Sequence, residues 1–165
     1  VNKKQEKKEL LIASLMDVRR RVIDLAETCP SDRRSEVFLG TWSLWEILAH
    51  LSGWDVVNIA AGNEIQAGKL PIFYQYVDRG WKSYNAVLVE QYRKPQFEDQ
   101  LALVQSTHDQ LIQYLKELPA DELWQDHGIR YKGWIVTLGK LLKVLAKDED
   151  IHYQQIKNFL ESKHA

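Results

Sequence analysis

An all-α fold is predicted by this 165-residue sequence: a four-helix bundle with a long crossover connection and short extra helical turns. Three observations carry the prediction. Apolar and inward residues recur at alternating steps of four and three through Phe97, Leu101, Val104, His108, Leu111, Leu115 and Leu118, the seam of a helix packed in a left-handed bundle. A well-marked helix start stands at Ser43. No stretch shows the alternation of a half-buried strand.

In chain order, residues 4–27 read as the first helix, with Leu11, Leu15, Val18, Val22 and Leu25 as its apolar stripe. Pro30 disfavours helix at the residue before it, so the helix breaks there. The connection from Thr28 to Ser43 is long for a bundle and is expected to cross one end or contribute to a pocket. The second helix starts with a capping box, Ser43 with Glu46 three residues on, and Trp42 and Ile47 stand at hydrophobic-staple positions. It runs from Leu44 to about Gly68. Residues 69–77 read as an aromatic-rich loop, and a third helical segment spans about Val77 to Arg93 before Pro95. The seam helix follows, then a short turn at Asp121–Trp124 and a polar loop from Gln125 to Gly133. The last helix begins near Trp134 or Thr137 and reaches about Ser162.

Size and composition narrow the functional classes. One domain, residues 1–165, is expected, and a chain this long buries roughly two-thirds of its unfolded surface. Apolar residues at 45% and charged residues at 27% are an ordinary globular balance. Net charge is −1, which leaves no global field for nucleic acid or an anionic membrane, so neither is expected as a partner. A single cysteine, Cys29, cannot close an internal disulfide and reads as a loop thiol. With neither a signal peptide nor a membrane-length apolar run, a cytoplasmic location is expected.

Chemistry concentrates at two places. His50 lies two turns into the second helix at the edge of its buried arc. On the last helix the inward stripe passes through Asp148 and His152, about 40° apart on the wheel. Two imidazoles and a carboxylate are the ligand types of a divalent ion with open positions, with Zn²⁺, Fe²⁺ and Ni²⁺ as candidates. The plain alternative is a core histidine at His50 and an i, i+4 pair between Asp148 and His152. His108 sits on the seam as a fourth ligand, a group behind the ligands or a buried neutral histidine, the last two being favoured. His127 and His164 take no role. The chain is rich in tryptophan and tyrosine, and Trp42, Trp54, Trp81, Tyr84 and Trp134, with His108, are candidates to wall an apolar substrate pocket.

The stretch Thr41-Trp-Ser-Leu-x-Glu-x-Leu-Ala-His50-Leu-x-Gly-Trp54-Asp55 resembles the second-helix motif of the DinB/YfiT-like superfamily, most of all its ClbS/DfsB branch. Trp81-x-x-Tyr-Asn85, Leu115-x-x-Leu-Pro119-x-x-Glu-Leu123 and His152-Tyr-x-Gln-Ile156 follow in that branch's order. The resemblance implies a four-helix bundle, often a homodimer. It also implies a metal on the histidine ending Leu-Ala-His and on two more from His-x-x-x-His on the last helix. His50 and His152 match; Asp148 departs from the pattern. The implied activities are transfer of a small thiol to an electrophile, or opening of a strained ring in a genotoxic natural product. The expected function is therefore a metal-capable hydrolase or thiol transferase acting on a small electrophile in detoxification or self-protection. His50, Asp148 and His152 would be the catalytic residues and metal ligands; without metal, either histidine would be a general base oriented by Asp148. The alternative is a non-catalytic ligand-binding or dimeric scaffold protein with a vestigial metal site.

Overall fold

A computed structural model describes residues 2–162; Val1 and the tail with His164 lie outside the described residues. Four long helices make the bundle: α1 (Lys3–Thr28), α2 (Leu44–Gln66), α4 (Phe97–Glu117) and α6 (Leu138–Glu161). Between α2 and α4 lie a 3-10 segment (Ile72–Arg79) and α3 (Trp81–Tyr92). Between α4 and α6 lie α5 (Ala120–Trp124) and a small hairpin of β1 (Arg130–Tyr131) and β2 (Trp134–Ile135). α1 packs against α4 and α6, and α2 packs against the same two, so α1 and α2 face each other across the bundle. α3 lies on the outer side of α2.

The capping box is formed: Ser43 Oγ accepts from Trp45 N at 3.2 Å, and Glu46 Oε2 accepts from Ser43 N at 2.8 Å. This satisfies N–H groups that the first turn leaves without helical partners. Thr137 caps α6 in the same way, accepting from Lys140 N at 3.3 Å. The connection 29–43 does cross to an end of the bundle. Its Arg33 donates to Phe159 O at 3.0 Å and to Leu160 O and Ser162 O at 3.4 Å, taking up carbonyls at the α6 C-terminus.

Gly62 does not interrupt α2. The Tyr114 hydroxyl of α4 packs where a Cβ would stand, so glycine serves a close approach between helices. Two expectations shift, and a third is narrowed to one of its alternatives. Helix α3 starts at Trp81 rather than Val77, because residues 72–79 wind as 3-10 and Gly80 turns at φ 96°. The last helix starts at Leu138 with Thr137 as its cap, the second of the two expected starts. Residues 130–135 form a hairpin whose turn, Lys132 and Gly133, has φ of 48° and 84°, the positive pair of a type I′ turn. Two residues per strand are too few to show alternation in a sequence.

At the centre lies a charge that the apolar stripe of α1 conceals. Arg19, 1% exposed, donates to Asp55 on α2 at 2.8 and 3.0 Å and to Glu149 on α6 at 2.5 and 3.1 Å. It also donates to the Val104 carbonyl of α4 at 2.9 Å, and Thr107 Oγ1 donates to Asp55 at 2.8 Å. All four bundle helices meet at one guanidinium. Burial works against its charge, but the two carboxylates more than restore it and hold it protonated.

Removing one member of a buried, hydrogen-bonded ion cluster strands the others. Arg19→Ala is expected to lower the unfolding free energy by about 3–5 kcal/mol in urea titrations. Arg21→Ala, which breaks surface pairs with Asp17 and Asp150, is expected to cost under about 1 kcal/mol.

Candidate functional site

A cavity of about 540 Å³ opens between α2, α6 and the segment carrying the 3-10 turn and α3. Its walls are aromatic and aliphatic: Trp54 from α2, Phe73 and Tyr74 from the 3-10 turn, Trp81 from α3, and Leu141, Val144 and Leu145 from α6. Polar groups enter at a few points only, namely His50, Asn58, Asn85, Asp148, Glu149 and His152. An apolar concavity with a few convergent polar groups is the usual form of a small-molecule site.

The two histidines meet. The His50 and His152 rings stand edge to face, with centroids 5.1 Å apart, and Trp42 lies 4.9 Å from His50 on another side. His50 Nδ1 is buried with no hydrogen-bond partner among the described residues. Burial, then the neighbouring His152, lowers the His50 pKa to about 3, so the ring is neutral at pH 7. Burial lowers His152 too, while its hydrogen bond to Gln155 and the Asp148 charge pull the other way. His152 Nδ1 lies 2.8 Å from Gln155 Oε1 and donates to it, which leaves Nε2 with its lone pair. Gln155 thereby sets both the tautomer and the ring orientation.

Asp148 is not on the buried stripe of α6. Leu142, Leu145, Glu149 and Ile156 are buried, whereas Asp148 lines the cavity with an exposed side chain. Steps of three and of four from Leu145 both keep to one face of a helix, and Arg19 selects the second by binding Glu149. Among the described residues no three His, Cys, Asp or Glu side chains converge to hold a metal ion. Two neutral imidazoles are suitable donor types, but His50, Asp148 and His152, although all three line the cavity, do not converge as a ligand set.

The other expected pocket residues divide. Trp54 and Trp81 line the cavity, and Tyr84 packs behind Trp54 at 5.6 Å. Trp42 contacts His50 without being among the lining residues. His108 is outside the cavity: it is buried on α4, and burial together with the Arg19 charge lowers it to about 3. Trp134 stands 76% exposed on the hairpin, held off the core by the turn at Lys132–Gly133. Phe73, Tyr74, Asn58, Asn85 and Gln155 are not singled out by the sequence. Asn85 and Gln155 do fall inside the quoted motifs, where Asn85 Oδ1 accepts from Trp54 Nε1 at 2.9 Å and fixes the indole. Cys29 is buried, and burial raises its thiol pKa, in keeping with an unreactive loop thiol.

Fold and cavity together define a helical-bundle protein with a largely apolar cavity between its second and last long helices. Residues 14–156 match the DinB superfamily model, and the chain belongs to that superfamily. Two solved structures share the fold. The colibactin self-resistance protein ClbS, solved in complex with dsDNA, is 20% identical over 96% of this chain and 97% of that one, with a TM-score of 0.75. An uncharacterised protein from Escherichia coli UTI89 is 16% identical over 92% and 91%, with a TM-score of 0.71. No curated protein matches the sequence.

The exclusion of nucleic acid drawn from net charge is corrected by this finding. A protein of this fold is solved on duplex DNA, and a near-neutral total says nothing about how charge is distributed over a surface. Among the described residues no helix is long and apolar enough to cross a membrane.

Buried neutral histidines make stability depend on pH with a definite sign. Above about pH 6.5 a histidine is neutral folded and unfolded and contributes nothing; below it, the unfolded chain takes up a proton that the folded one refuses until about pH 3. Stability therefore falls as pH falls. Between pH 7 and 5, His108 is expected to contribute a loss of about 2 kcal/mol, and His108→Gln is expected to remove that share in urea titrations at the two pH values.

Proposed function

We propose that this protein protects against a small electrophilic molecule by adding water to it in the cavity between α2 and α6, with His152 as general base. The observation that carries the reading is the ring pair at the cavity wall: two neutral imidazoles face to edge, one with its tautomer set by Gln155. His152 Nε2 takes a proton from water as the water oxygen bonds to the electrophilic carbon. The bond broken at that carbon leaves its electron pair on the departing atom, or on the ring atom of a strained ring. The imidazolium then returns the proton to that atom, so the net change is addition of water. Asp148, whose charge raises the His152 pKa, stabilises the imidazolium between the two transfers. The aromatic walls hold the ligand and keep bulk water from competing with the ordered nucleophile. The self-resistance role of ClbS, of the same fold, supports a protective purpose.

A test uses a cyclopropane activated by two carbonyl groups, in ¹⁸O-labelled water, with product mass as the readout. The native protein is expected to incorporate one labelled oxygen, and His152→Ala to lower kcat/KM by about 10²–10⁴. Gln155→Ala is expected to lower it less, with folding unchanged by circular dichroism. Full activity in His152→Ala would refute the assignment, and absence of turnover with tight binding would favour sequestration.

A second reading concerns duplex DNA. The groove between α1 and α6, about 640 Å³, carries Lys7, Arg21, Lys143 and Lys147 against Asp17 and Asp150. That excess of cations suits a phosphate backbone, and ClbS, of the same fold, is solved in complex with dsDNA. Native protein is expected to retard a blunt duplex at ~50 mM salt and to release it at ~200 mM, with Lys143→Glu/Lys147→Glu abolishing the shift. No retardation at the lower salt would refute it.

A further inference from the structure

The cavity walls contain no lysine or arginine among the described residues that line them. The charged groups present are carboxylates, Asp148 and Glu149. Glu149 is engaged by Arg19, which it shares with Asp55, so two carboxylates meet one guanidinium and the floor carries no excess positive charge. Asp148 makes no ion pair with lysine or arginine among the described residues, and its field reaches His152.

The aromatic wall adds a second preference of the same sign. Trp54, Phe73 and Trp81 touch one another at 5.6, 5.6 and 5.9 Å, but at interplanar angles of 78°, 55° and 39°. The three rings meet at angles rather than in one stack, Phe73 being stacked instead on Tyr74, and a ring's face is the electron-rich side of its quadrupole, to which a cation is drawn. Among the described residues no lysine or arginine stands over any of these three rings. Each lysine or arginine seen over a ring among the described residues stands over Trp45, Phe97, Trp124, Tyr131, Tyr153 or Phe159 instead.

We infer that the cavity selects ligands carrying an alkylated or delocalised cation on an aromatic or conjugated frame, held between the Trp54–Phe73–Trp81 corner and the Asp148 carboxylate. Carboxylates and phosphates are disfavoured for the same reasons, since nothing in the lining compensates their charge. The inference rests on the reading of this cavity as the ligand site and narrows it. A carboxylate-bearing thiol is a poor co-substrate here, which favours water as the nucleophile.

The test uses three unreactive probes of similar size, so that its outcome is independent of turnover: benzyltrimethylammonium, its uncharged carbon isostere neopentylbenzene, and phenylacetate. Affinities are read by quenching of tryptophan fluorescence and by calorimetry on the full chain. The cation is expected to bind about tenfold tighter than the isostere, the scale of a desolvated cation–π contact, with phenylacetate weakest. Asp148→Asn, at an exposed position that folding tolerates, is expected to cut the cation's advantage three- to fivefold and leave neopentylbenzene unchanged. Trp81→Leu is expected to weaken the cation most. Equal affinity for cation and isostere, tighter binding of phenylacetate, or no binding of any probe would each overturn the inference. Loss of hydrolysis in the labelled-water experiment, with the cation preference intact, would remove the catalytic reading and leave this one standing.

Discussion

The Arg19 guanidinium sets a constraint that the bundle is arranged to meet. A positive charge on α1 is almost wholly withdrawn from water and needs partners on three sides. Asp55 supplies them from α2, Glu149 from α6, and the Val104 carbonyl from α4. Such a cluster is weak evidence of high stability, because desolvating three charges offsets much of their attraction. Its effect is on register. A slide or rotation of any one of these helices separates charges in a medium that screens them little, whereas aliphatic contacts would tolerate it.

That register is what builds the cavity wall. With Glu149 drawn inward, a rotation of about 300° along α6 brings His152 beside the same core, next to His50 of α2. One residue back from Glu149, about 100° the other way, Asp148 stands exposed at the wall, where its charge acts on His152 but it forms no ligand set with the two rings. The structural cluster and the candidate site thus share one turn of α6. Glu149 belongs to both, with one face toward Arg19 and part of its surface lining the cavity.

Neutrality of the rings follows from the same packing. His50 lies among Trp42, His152 and the apolar lining, with one ring nitrogen unpartnered, so protonation would place a charge where nothing answers it. Burial at these positions weakens the fold toward acid and keeps the imidazoles available as acceptors at neutral pH. Asn85, by holding the Trp54 indole, fixes one wall of the same space from a separate helix.

Much of the fold was legible in the sequence, because a helix announces itself through local chemistry. The capping box at Ser43, the break at Pro30 and the steps of three and four on α4 concern residues within a few positions of each other. The motifs around His50 and His152 named the superfamily and the pair that meets. Tertiary structure decided the rest. Helical periodicity cannot distinguish Asp148 from Glu149, since both lie about one turn beyond Leu145; only a cation on α1 makes the choice. The same holds for His108, which the seam places inside but not beside the cavity, and for Trp134, which a two-residue turn carries into solvent. Local interactions determine which residues turn inward; what they meet there depends on how distant helices are rotated against one another, and that is set by contacts far apart in the chain.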